Sequence, residues 1–151
     1  SHFEILLAAT YQGVGERAVE VAAEHVAKRR SVKNQTTYSN DPDIRWRIAE
    51  AALIMNAVGP QIRELARDID EGVDRGRSWM PQLSAAKNAA AEATLRAVEQ
   101  AMRACGGSAY YNTHELSRLY RDALAGLFQP SDQESVHAAW ANLILGPIEK
   151  A

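Results

Sequence analysis

The chain has 151 residues, enough for one domain whose hydrophobic core needs no disulfide or metal to hold it. Its 17 Lys and Arg against 19 Asp and Glu leave a net charge of −2 with both signs mixed along the sequence, so it offers no basic field for nucleic acid or an anionic membrane surface. The one cysteine, Cys105, excludes an internal disulfide and suits a reducing, cytoplasmic setting, where a lone helical thiol reads first as a small apolar side chain.

The opening "SHFEILLAATY" is apolar, but Glu4 interrupts it and no basic segment precedes it. It reads as the start of a helix, not as a signal peptide or membrane span. Leu7, Tyr11, Val14, Ala18 and Val21 form one stripe with Val19, Ala22 and Val26 beside it, which predicts a helix from about residue 3 to Arg29. "RRSVKNQTTYSN" is polar and aperiodic, hence a loop. Asp41 is then an N-cap with Pro42 at the first helical position, where a missing N–H costs nothing. Ile44, Ile48, Ala51, Met55, Val58, Ile62, Leu65, Ile69 and Val73 alternate steps of three and four, which only a helix can place on one face. That helix should run to Gly72 or Gly76, kinked and not stopped at Gly59-Pro60, because the stripe resumes in phase.

A third helix should start near Ser78, which can cap it, and carry Leu83, Ala86, Ala90, Ala93 and Ala97 on one edge, with Leu95, Val98, Met102 and Cys105 alongside. Gly106-Gly107 ends it by supplying the left-handed residue that a helix C-terminus prefers. Asn112 with Glu115 forms a capping-box pattern for a fourth helix through Leu116, Leu119, Ala123 and Leu127. Ser131 with Glu134 does the same for a fifth through Val136, Trp140 and Leu143. No run alternates with period two over strand length. The expectation is a single all-α domain, an antiparallel helical bundle of three long and two shorter helices.

A bundle can hold a di-metal site, but that needs two Glu-x-x-His pairs, and the chain has one, Glu134 to His137, whose glutamate is already placed as a cap. No metal site is expected. No serine has a histidine and carboxylate in a recognisable local motif, which removes hydrolase-type triads. His25, on the apolar edge of the first helix, reads as a hydrogen-bonded core histidine, and His114, in the first turn of its helix, as solvent-facing.

The order "GVGERAVEVAAEHVAKR", "DPDIRWRIAEAA", an alanine-rich helix ending in "GG", then "LYRDALAG" resembles the C-terminal helical domain of the acyl-CoA dehydrogenase superfamily. "CGGSAYYNTHELSRLYRDA" is similar to its GG-x-G/A-Y turn and Arg-Asp helix, closest to the branch that includes flavin-dependent monooxygenases. The resemblance implies a flavoenzyme, using FAD or FMN on a small-molecule substrate, whose upstream helical and β domains are not in this chain; the chain alone should be inactive. The alanine-lined faces and the surfaces that would meet those other domains leave apolar area that predicts a homo-oligomer, dimer or tetramer.

By position, the resemblance assigns cofactor contact to Arg29, the arginine of an R-x-x-F-G motif reaching a neighbouring subunit's flavin pyrophosphate. Val32 and Lys33 replace that motif's phenylalanine and glycine. Gly106 and Gly107 match paired glycines whose backbone approaches the flavin, and Arg103 stands where a cofactor-contacting glutamine is frequent. The usual catalytic glutamate after the Arg-Asp helix is replaced by Pro130. Glu4 falls within one residue of an alternative base position at the start of the first helix. The implied activities are therefore a flavin monooxygenase, which needs no such carboxylate, or an acyl-CoA dehydrogenase using Glu4. A bundle serving only subunit assembly is the third reading.

Overall fold

In the computed structural model, which describes residues 2–149, five α-helices account for most of the chain. They are α1 (His2–Lys28), α2 (Pro42–Asp70), α3 (Trp79–Cys105), α4 (Glu115–Ala125) and α5 (Gln133–Leu145), with 3-10 turns at Tyr38–Asn40, Gly76–Ser78 and Gly106–Tyr110. Among the described residues no strand forms; an isolated bridge pairs Arg30 with Thr37 inside the expected loop.

Cross-links fix the helix directions. Thr94 Oγ1 donates to the Tyr11 carbonyl at 2.6 Å and Arg29 reaches the Cys105 carbonyl at 3.3 Å, so α1 and α3 run parallel. Arg47 donates to Gln100 at 3.0 Å while Met55, further along α2, clusters with Ala93 and Ala97, and Arg17 donates to Glu115 at 2.9 Å while Gly126 lies against Tyr11, which sets α2 antiparallel to α3 and α4 antiparallel to α1. Helices α1 to α4 thus alternate in direction, and α3 lies at the centre, packed on all four others.

Three buried clusters lie along the bundle. One joins Ile5, Ala8 and Tyr11 to Ile62, Leu65, Leu83 and Ala90; one joins Ala51 and Met55 to Ala93 and Ala97; the third joins Ala18, Val21 and Ala22 to Val98, Cys105, Leu116 and Leu119. Alanine dominates the contact, so little side-chain volume separates the backbones and the helices can approach closely. The face of α1 is rotated from the expected stripe: Leu7, Val14 and Val19 are half-buried, while Ala8, Gly15 and Glu4 are buried.

Several helix ends differ from expectation. The continuous helix α2 runs through Pro60 but ends at Asp70. Ser78 makes no cap bond to α3; its hydroxyl donates to the Arg75 carbonyl within a corner where Arg75 binds Glu64, Asp68 and Gln82. Asn112 does not cap α4. The 3-10 turn carries the chain on to His114, whose extended backbone and ring nitrogen make it the cap. Likewise Asp132, not Ser131, caps α5, because Ser131 is turned inward toward Glu4.

Candidate functional site

The α3 helix ends where Gly106 takes φ +76° and ψ −162°, a region that essentially only glycine occupies. A β-carbon at Gly106 or Gly107 would meet nothing within 4 Å, so this turn presents bare backbone to open space. Arg29 crosses from the end of α1 to hold it: one Nη1 donates to Ser108 Oγ at 3.0 Å and to the Cys105 carbonyl at 3.3 Å, and the guanidinium lies 5.0 Å from the Tyr38 ring centre. Beside the turn a cleft of about 500 Å³ is lined by Ser31, Asn34, Thr36 and Asn40 of the loop together with Arg103 and Gly106. Arg103 is exposed and paired with Glu99 at 2.7 Å. Arg29, Arg103, Gly106 and Gly107 are therefore gathered at one end of the bundle.

Behind the turn lies a cluster that sequence reading missed. His114 is half-buried, not solvent-facing, because as the α4 cap its ring folds back toward α1. Leu116 N–H can only donate, so His114 Nδ1 accepts it at 3.2 Å, and the proton of the neutral ring sits on Nε2, 3.5 Å from His25 Nδ1. His25 Nε2 faces Ser108 Oγ at 3.5 Å. Burial, then the nearby His114 and Arg29, holds the His25 pKa below its usual value. Burial pushes the Cys105 thiol up to about 11, against a weaker pull from Arg29. The free thiol is thus a poor nucleophile at neutral pH.

Glu4 sits at the opposite end of α1, about 37 Å away at about 1.5 Å per residue. Its buried carboxylate accepts from Ser131 Oγ at 3.1 Å and Ser131 N at 3.3 Å, and Ser131 Oγ, its one proton given to Glu4, lies 3.1 Å from the Ser84 hydroxyl, from which it can accept. Next to it Lys87, fully buried, donates to the carbonyls of Gly126, Gln129 and Ser131 at 2.7, 2.6 and 3.0 Å. Burial lowers the Lys87 pKa from its ordinary value, with Glu4 and Asp132 opposing. Tyr11 donates to Gln129 Oε1 at 2.6 Å. Pro130 is exposed in the loop so held. Lys87 was findable in the sequence as a lysine on the Leu83–Ala86–Ala90 face. The partners of Ser131 had no local signal. Glu134 and His137 do not converge: His137 Nδ1 lies 2.7 Å from the Gln133 carbonyl, exposed on α5.

An all-helical bundle with a glycine turn, an arginine from the first helix behind it and an Arg-Asp helix following defines a recognisable class. Residues 2–128 match the family model described as acyl-CoA dehydrogenase, C-terminal domain, and the chain belongs to that family. YdbM of Bacillus subtilis (strain 168), provisionally named an acyl-CoA dehydrogenase, is 29% identical over 128 residues, 85% of this chain and 33% of that protein. Acyl-CoA dehydrogenase from Geobacillus kaustophilus superposes with a TM-score of 0.84 at 20% identity, over 94% of this chain and 36% of its own. XiaF from Streptomyces sp., solved with FADH2 and glycerol, gives 0.84 at 16% identity over 98% and 39%. At these identities the two structures speak to the fold alone. The chain spans about a third of the length of its curated relative.

Proposed function

We propose that this chain is the flavin-contacting and subunit-assembling C-terminal bundle of a larger flavin-dependent oxidoreductase, with monooxygenase chemistry favoured over acyl-CoA dehydrogenation. The observation that carries the flavin reading is the polar cleft beside Gly106. Its lining is rich in hydroxyl and amide groups, Arg29 stacks on its Tyr38, and its one carboxylate, Asp41, is spent accepting from the N–H groups of Asp43 and Ile44. Such a surface fits a phosphate-bearing polyol cofactor better than an apolar ligand. Arg29 commits Nη1 to the turn and keeps Nη2 and Nε for an anion, Arg103, with Nε and Nη2 on Glu99, keeps Nη1, and Gly106 and Gly107 let another group approach the backbone. A bound flavin would supply the redox chemistry. In this reading the flavin is held mainly by a neighbouring subunit and small-molecule substrate by the complete protein.

The preference for oxygenation rests on the other pole. Proline at 130 cannot take a proton, and the Glu4 carboxylate is enclosed and occupied by Ser131, so a base role would require the 126–131 loop to open. The test supplies the full-length protein with reduced flavin and oxygen, and separately with an acyl-CoA panel and an artificial electron acceptor. Substrate-dependent oxygenation with no acyl-CoA oxidation is expected. Acyl-CoA oxidation abolished by Glu4→Gln would replace the oxygenase reading with the dehydrogenase one, and a full-length protein that retains no flavin would leave assembly as the bundle's only role.

A further inference from the structure

We propose that His25, Cys105 and His114 form a binding site for a thiophilic divalent cation of the zinc type. The three come from separate elements, the last turn of α1, the last residue of α3 and the cap of α4, and one ligand atom from each lies within 4.8 Å of the others. The facing ring nitrogens, His25 Nδ1 and His114 Nε2, are 3.5 Å apart. That is long for a hydrogen bond, whose usual length is about 2.9–3.0 Å. It matches a tetrahedral edge: bonds of about 2.0–2.1 Å to nitrogen and about 2.3 Å to sulfur set ligand atoms roughly 3.3–3.6 Å apart. Drawing the widest separation, 4.8 Å at most, into that range takes a movement of at most roughly 1.2–1.5 Å.

The surroundings suit His25 as a ligand. Its Nε2 lies 3.5 Å from Ser108 Oγ, so a neutral ring protonated on Nε2 leaves the Nδ1 lone pair facing His114, the arrangement that metal-bound imidazoles adopt. One thiolate and two imidazoles select zinc-like ions and exclude calcium and magnesium, which take oxygen ligands. On binding, the Cys105 S–H bond breaks, a sulfur–metal bond forms and the proton leaves to solvent, with no oxidation or reduction. The His114 proton moves from Nε2 to Nδ1, and the cap bond from Leu116 is given up. Arg29 is the opposing charge, and the thiolate reduces the ion's two positive charges to one. A water or ligand completes the fourth position. The bound ion would pin the ends of α1, α3 and α4 together behind the Gly106–Gly107 turn. Local motif searches miss it because His25 and His114 are 89 residues apart. It stands whether or not the flavin reading does.

The test is a Co²⁺ titration of the reduced, metal-free protein followed by absorbance. One equivalent should bind, with thiolate-to-cobalt charge transfer and the visible bands of a tetrahedral site, and Zn²⁺ should displace it. Cys105→Ser should remove the charge-transfer band. His114→Asn, which keeps a strong N-cap side chain, should weaken binding by at least about 10–100-fold with the circular dichroism spectrum unchanged. No saturable binding by the wild type, or full-strength binding by His114→Asn, overturns the site. The second variant carries the test should Cys105→Ser not fold.

Discussion

A methyl group added at Gly106 would touch no neighbouring atom, yet its φ of +76° is strained for any L side chain, whereas Gly107 has neither constraint. Gly106→Ala should therefore cost about 1–3 kcal/mol in denaturant unfolding. Gly107→Ala should lie within about 0.5 kcal/mol of wild type. If a flavin approaches this backbone in the complete protein, Gly107→Ala should still lower flavin retention there, separating contact from folding. Lys87 is the opposite kind of residue, with its ammonium satisfying three carbonyls of one loop. Lys87→Met leaves those carbonyls without a donor and should cost about 2–4 kcal/mol. Thermal unfolding should show it as a drop of several degrees, since about 2–4 °C accompanies each kcal/mol in a domain of this size.

At the scale of elements, the five helices are unequal. α3 is buried along much of its length, while α5 buries Val136 alone and is anchored by Trp140 Nε1 donating to the Pro81 carbonyl at 3.0 Å and by its cap. That cap has a pH signature. Asp132 accepts from the Ser135 hydroxyl and backbone N–H, which holds its pKa below the usual 3.8. Between the lowered folded value and the ordinary one, the unfolded chain binds more protons, so stability rises with pH across that window. The contribution is complete above the ordinary value and lost as pH falls through the folded one. Amide exchange should show α5 fraying first on acidification below about pH 4, and Asp132→Asn, still a good cap, should flatten the dependence.

For the whole molecule, the two poles of α1 are distinct sites about 37 Å apart at about 1.5 Å per residue, so a flavin at the Gly106 turn and a proton transfer at Glu4 could not serve one reaction within one copy of this chain. Apolar side chains are exposed at both poles and between them: Phe3, Leu6 and Phe128 at the Glu4 end, Tyr110 and Tyr111 at the other, Trp46 and Leu53 on α2. Large exposed apolar patches mark surfaces that meet other protein. Sedimentation of the purified chain at micromolar concentration is expected to give a dimer or tetramer, and a clean monomer would remove the assembly role. No helix among the described residues is long and apolar enough to cross a membrane.

Helix number, order and the core faces of α2 and α3 were legible in the sequence, because the three-and-four spacing of Ile48 through Ile69 and of Leu83 through Cys105 is a local property that burial turns into packing, whereas the α1 face came out rotated. The family resemblance was legible too, since glycine turn and Arg-Asp helix follow in sequence. Caps were less so: His114 and Asp132 displaced Asn112 and Ser131 because a 3-10 turn and an inward hydroxyl shifted each start by a residue or two. Tertiary structure alone decided the polar interior. Lys87 with the 126–131 carbonyls, Glu4 with Ser131, and His25 with His114 and Cys105 join residues tens of positions apart. A charge or ring buried among alanines takes whatever partner the neighbouring helix presents, which no local pattern records.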